Sequence, residues 1–189
     1  MRVRTIVVVC SVLVAITACG TTTPTSRPAP QTTTTTTAPT TSAGSGSTTA
    51  TVFRADLTVQ RSGLGLLALT NTAKHPVAVR GWPTLTFYDD ADESLAVPVR
   101  KVDVPGAGPR ITIGPGETAF AGVRWTVGDK ADPKTFVATS LRLTPPGGSQ
   151  RVTVNVVGMD GEVAEFPEFD LTDAEIGTLQ PSSQGVLVF

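Results

Sequence analysis

Ala119-Phe120-Ala121-Gly122-Val123-Arg124-Trp125-Thr126-Val127 decides the fold class. Ala119, Ala121, Val123, Trp125 and Val127 share one face of an extended chain, and Phe120, Gly122, Arg124 and Thr126 share the other. Successive side chains of a strand point to opposite faces, so a period of two marks a half-buried strand. The same period recurs on both sides. Leu57 and Val59 begin it, and Leu64 to Thr70 is a longer apolar run. Val77 and Val79 alternate with Ala78 and Arg80, and Leu85 and Phe87 with Thr84, Thr86 and Tyr88. Further along, Val137, Thr139, Leu141 and Leu143 repeat the pattern, as do Val152, Val154 and Val156. Turn signals separate the runs: Asn71 to Pro76, Asp89 to Glu93, Gly114-Pro115-Gly116 and Pro145-Pro146-Gly147-Gly148. Short strands at this spacing, with Gly and Pro between them, predict an all-β, immunoglobulin-like β-sandwich of about seven to nine strands. The one helix candidate is Thr172-Asp173-Ala174-Glu175, a capping-box pattern ahead of Gly177.

The N-terminus reads as an address. Arg2 and Arg4 precede an apolar run from Thr5 to Ile16, and Ile16-Thr17-Ala18-Cys19 follows. A charged start, a short apolar segment and small residues before a cleavage point make a secretory signal. The run is shorter than the roughly 20 apolar residues of a membrane span. An aliphatic residue three places before a cysteine resembles the bacterial lipobox, which implies cleavage after Ala18 and a diacylglyceryl group on Cys19. Two acyl chains hold a protein stably on a membrane. The expected organisation is a lipoprotein signal peptide at 1–18 and an anchor with a Thr/Ser/Pro-rich disordered linker at 19–51. A sandwich follows at 52–157, then an acidic C-terminal segment at 158–189 containing the short helix.

The linker from Gly20 to Thr51 holds the run Thr32 to Thr37, several Pro, no acid and no base but Arg27. It has no large apolar residue to bury, so nothing offsets its ordering entropy. As a coil it spans roughly 30 Å, and fully extended roughly 100 Å. Such Thr-rich stalks with Pro are O-glycosylation substrates, and the other reading is a bare spacer.

Composition excludes several chemistries. Cys10 leaves with the leader and Cys19 carries lipid, so the folded part has no thiol, and His75 is the only histidine. Most metal sites built on imidazole or thiolate are thereby removed, as is a Met-based copper site, since Met159 is the only methionine past the leader. His75 falls in a turn between two strands. Asp89-Asp90-Ala91-Asp92-Glu93 is the one cluster of hard oxygen ligands, but its spacing matches no calcium loop with a central glycine. Neither G-x-S-x-G nor S-x-x-K occurs, and Gly63-Leu64-Gly65 lies inside a strand pattern without a phosphate-binding context. No enzyme and no cofactor are expected.

Charge is unevenly placed. Val52 to Arg151 carries twelve Lys and Arg against nine Asp and Glu. From Val152 onward there are seven acids and no base. The acidic segment is either a solvated tail or a cover over a basic face of the body. Neither block is strong enough to argue for nucleic acid.

Five short motifs follow in order: Leu69-Thr70-Asn71-Thr72, Val77-Ala78-Val79-Arg80-Gly81-Trp82-Pro83, Ile113-Gly114-Pro115-Gly116-Glu117-Thr118-Ala119, Val123-Arg124-Trp125 and Leu141-Arg142-Leu143-Thr144-Pro145-Pro146. That succession resembles the actinobacterial DUF4232 domain family of secreted and lipid-anchored proteins, over roughly Phe53 to Val157. The resemblance implies an immunoglobulin-like sandwich and an envelope location, and it implies no activity. Members usually carry cysteines, one of them just ahead of the Gly-x-Pro turn. Val77 stands at that place here, so packing must replace a bridge whose loss costs about 2–5 kcal/mol in a small secreted domain.

Trp82, flanked by Arg80, is either a plug at the rim of the sandwich or a surface aromatic for a glycan or peptide. Arg80, Arg124 and Arg142 are expected to point outward together, as a stripe that meets the acidic segment or an anionic envelope polymer. These residues are the candidate interaction surface. The function expected is a lipid-anchored cell-envelope protein, a non-catalytic module that binds another envelope protein or a wall polymer. A small-ligand carrier on the periplasmic side is the alternative, and a carboxylate-based hydrolase is the weakest.

Overall fold

Two apolar-alternating runs meet across a tight turn: Phe53–Arg61 (β1) pairs antiparallel with Leu64–Asn71 (β2). Gly63 makes the turn possible. Its φ is +78°, where a side chain is strained, and a Cβ there would come 2.8 Å from the carbonyl oxygen of Trp125. The computed structural model describes residues 52–189, so the leader, Cys19 and the linker lie outside the described residues.

Nine further strands follow: Val77–Arg80 (β3), Thr84–Tyr88 (β4), Val99–Lys101 (β5), Arg110–Ile113 (β6), Thr118–Val127 (β7), Phe136–Ala138 (β8), Ser140–Thr144 (β9), Val152–Val157 (β10) and Phe169–Ile176 (β11). The fold is all-β, with no helix among the described residues. The strand order is β4-β9-β10-β1-β2-β7-β11-β5, with β8 also on β11, and β3 pairs separately with β6. Most pairs are antiparallel, but β1 with β10 and β11 with β5 are parallel.

The sheet closes over itself. β4 and β11 are six places apart in that order, about 29 Å in a flat sheet at ~4.8 Å per strand. Yet Phe87 of β4 meets Phe169 of β11 edge to face at 6.4 Å between ring centroids, and Trp125 meets Phe169 at 5.5 Å. These rings join the two layers of an immunoglobulin-like β-sandwich. Leu57, Leu67, Leu69, Val123, Leu141, Leu143, Leu171 and Ile176 fill it and are almost fully buried. Each such side chain contributes about 1.5–3 kcal/mol over its exposed state. Val77 is half-buried against this core, where an apolar side chain takes the place expected of a cysteine.

Four expectations change. The strands number eleven rather than seven to nine, because the three-residue β5 and β8 were too short to show a period. Val127 is 52% exposed although it continues the alternation, because β7 runs past the core where β11 bulges between Leu171 and Asp173. Val137 is outside while Ala138 is buried. The chain changes partner at Thr139, from β11 to β4, and the alternation slips by one residue.

The fourth change is the largest. Thr172-Asp173-Ala174-Glu175 is not a helix but part of β11, between β7 and β5. Local capping propensity lost to pairing on both edges. The boundary at 157 therefore falls inside the sandwich, and residues 158–189 supply a strand of its sheet. After β11, Gly177 to Gln180 bonds to Gly122, Val104, Gly81 and Phe120.

Candidate binding groove

Arg80 ends β3 on its outer, alternating face, and the chain then turns through Gly81-Trp82-Pro83 into β4. Gly81 has φ +90° and is buried, with Leu179 N donating to its carbonyl at 2.9 Å. Gly108 packs so closely on it that a Cβ there would lie 3.2 Å from Gly81 Cα. Trp82 is half-buried, and its Nε1 donates to Val102 O at 2.8 Å, which pins the indole beside the end of β5. Below, buried Thr178 donates from Oγ1 to Gly106 O at 2.8 Å and accepts from Gln180 Nε2 at 2.8 Å. The segment read as either a solvated tail or a cover thus fixes the backbone at Gly81 and Gly106.

These turns enclose an open groove of about 530 Å³, lined by Arg80, Trp82, Lys101, Asp103, Gly108 and the Thr144 to Gly148 turn. Arg110 stands opposite Arg80 on the β3–β6 ladder. Arg80, Lys101, Asp103 and Arg110 make no ion pair among the described residues. A pinned aromatic and two cations, Arg80 and Lys101, therefore share one concave surface with the carboxylate of Asp103.

The other two candidate arginines are outward but do not join them. Arg124 Nε donates to Glu175 Oε2 at 2.9 Å, and its guanidinium lies 5.2 Å from the centre of the Phe189 ring. Arg142 Nη2 contacts Asp92 Oδ1 at 2.5 Å and Oδ2 at 2.7 Å, over the Tyr88 ring at 4.2 Å. The hydrogen bond to Asp92, then that to Tyr88, holds this guanidinium's pKa above its usual range. β7 and β9 are four places apart in the strand order, neither arginine lines the Arg80 groove, and each is held by its own carboxylate. No single basic stripe forms. Arg124 does meet the acidic segment, but inside the sheet.

Sequence reading missed Lys101, Asp103, Arg110 and Thr178. One signal was available: Arg110-Ile111-Thr112-Ile113 alternates over the same length as Val77-Ala78-Val79-Arg80, so pairing the two runs brings the arginines together.

The remaining polar candidates have local duties. His75 is exposed in its turn, its Nδ1 3.4 Å from Pro76 O. Asp89 Oδ1 accepts from Ala91 N and Glu93 N, and Asp92 is taken by Arg142. No three His, Cys, Asp or Glu gather to hold a metal among the described residues. A second, more apolar groove of about 460 Å³ is lined by Trp125, Val127, Met159, Phe166 and Asp170.

The fold and groove define an immunoglobulin-like β-sandwich with a cationic, aromatic cleft at the β3–β4 turn. The family model described as Domain of unknown function (DUF4232) matches residues 34–176, and the chain belongs to that family. The match runs to the last residue of β11, beyond the Val157 at which the resemblance was expected to end. No curated protein and no solved structure matches the chain.

Proposed function

We propose that this is a lipid-anchored cell-envelope protein whose sandwich is a non-catalytic binding module, taking a wall polymer or another envelope protein into the Arg80–Trp82 groove. Cys19 is the anchor, and the Thr-rich linker carries the sandwich away from the lipid surface. One observation carries the reading. Trp82 is held rigid by Val102 while an exposed cation flanks it in an open groove. Trp and Arg are the side chains most enriched at binding hot spots, and a pre-positioned ring loses little freedom on binding.

A small-ligand carrier is the second reading, because about 530 Å³ falls within the range of small-molecule clefts. One experiment separates them: the full chain is used to capture components of detergent-solubilised envelope, with Trp82→Ala beside it. Retention of one defined polymer or protein, lost in the variant, supports the module. Retention of neither, with a metabolite-sized ligand raising the melting temperature, supports the carrier.

A further inference from the structure

Arg80 and Arg110 are Cα partners at the end of the β3–β6 ladder, both on its exposed face. Like charges directly opposite on an antiparallel pair are destabilising. Each of these strands has only four residues, and an isolated two-stranded ribbon is marginal. No carboxylate reaches either guanidinium among the described residues. By contrast Arg54, Arg100, Arg124 and Arg142 each have a carboxylate partner. A local charge conflict without internal compensation is what a bound anion resolves, and such departures collect at functional sites. Lys101, from the edge strand β5, is the second cation lining the groove beside Arg80, and it too makes no ion pair among the described residues.

The rest of the groove says what kind of anion. A guanidinium matches the paired oxygens of phosphate or carboxylate. Trp82 offers an apolar ring, suited to the C–H face of a sugar. Asp103 also lines the groove and makes no ion pair among the described residues. A carboxylate there repels a densely charged polyanion but accepts hydrogen bonds from hydroxyl groups. The set therefore fits a ligand with hydroxyls and sparse negative charge.

We propose that the groove binds an acidic glycan, with a sugar ring against Trp82 and its phosphate or carboxylate group held by Arg80 and Lys101, while Arg110, the ladder partner of Arg80, adds positive charge next to them. This rests on the binding-module reading and names the ligand class. Anionic lipid is the competing source of the same chemistry, because Pro145 to Gly148 line both this groove and a neighbouring cleft that contains Val52, where the linker joins.

The test is calorimetric titration of the full chain in detergent with four probes: sparsely phosphorylated dextran, sparsely carboxymethylated dextran, neutral dextran, and mixed micelles of the same detergent with phosphatidylglycerol, read against micelles with phosphatidylcholine so that insertion of the anchor cancels. Binding of one or both acidic glycans, weakened by salt and lowered about tenfold by Arg80→Ala or Arg110→Ala, supports the proposal, and the arm that binds tells phosphate from carboxylate. Lys130→Ala, a cation outside the groove, leaves that binding unchanged. Neutral dextran binding equally well and through Trp82 overturns the anionic inference while leaving the binding module intact. A response to phosphatidylglycerol beyond that to phosphatidylcholine, without glycan binding, assigns the cations to lipid and overturns the proposal. Binding of no probe also overturns it, and the capture from whole envelope then judges the module separately.

Discussion

Arg124 Nε donates to Glu175 Oε2 at 2.9 Å across the β7–β11 pair, and Glu175 is buried although it belongs to the acidic end of the chain. From the other edge Arg100 of β5 reaches Glu175 Oε1 at 2.6 Å. One carboxylate thus ties three neighbouring strands together, in the part of the sheet that leads into the floor of the groove.

Glu175→Ala leaves two arginines without their shared acceptor. Breaking a buried ion pair costs 3–5 kcal/mol, but Arg100 and Arg124 are largely in solvent. The expected loss is therefore smaller, about 2 kcal/mol. Urea denaturation checks it, and a midpoint equal to that of the wild type contradicts it.

Asn71 is fully buried at the end of β2, and its Nδ2 donates to Ile113 O at 2.8 Å and His75 O at 2.9 Å while Oδ1 accepts from Ala73 N at 2.9 Å. This side chain fastens the β3–β6 ribbon, and with it Arg80 and Arg110, to the main sheet. Asn71→Ala strands three backbone groups and costs about 3 kcal/mol. Asn71→Asp turns a carboxylate oxygen toward two carbonyls and is expected to be no better. Equilibrium unfolding of both variants tests this, and a stable Asp variant would be the surprise.

Lys130 is held above its ordinary 10.5, first by its hydrogen bond to Glu168 and then by the charges of Asp170 and Glu168, with desolvation opposing them. A raised lysine pKa favours the charged form in the folded protein. Its contribution is complete below pH 10.5 and is lost as pH rises through the folded value. The pair is exposed, so the contribution is small. Titration of the Lys130 side chain by NMR should show the raised value, and Glu168→Gln should lower it.

Phe166 is 91% exposed on the loop between β10 and β11. Phe166→Ser should change stability by no more than about 0.5 kcal/mol. A larger loss in thermal unfolding would mean that the second groove closes over this ring.

The sandwich was legible because apolar residues alternate where one face is buried. Leu57, Val79, Leu85, Phe87, Val123, Leu141 and Val154 are all buried. The pattern failed where tertiary pairing overrides the local signal. Thr172 to Glu175 carries helix-cap residues but lies between two strands, and a buried Glu175 makes sense only beside Arg100 and Arg124. Arg80 and Trp82 were readable as a pair because only Gly81 separates them in sequence. Lys101 and Thr178 were not, because only strand pairing and the segment after β11 bring them near the groove, whereas Arg110 could be reached only through the matching alternation of β3 and β6.

The groove itself is tested most directly by the indole N–H signals of the chain's two tryptophans, followed by NMR while solubilised wall polymer is added. Trp82 lines the candidate groove, and Trp125 lines the second one. The account predicts that the Trp82 signal shifts with saturation while that of Trp125 stays in place. A shift of Trp125 alone, or no shift in either, would contradict it.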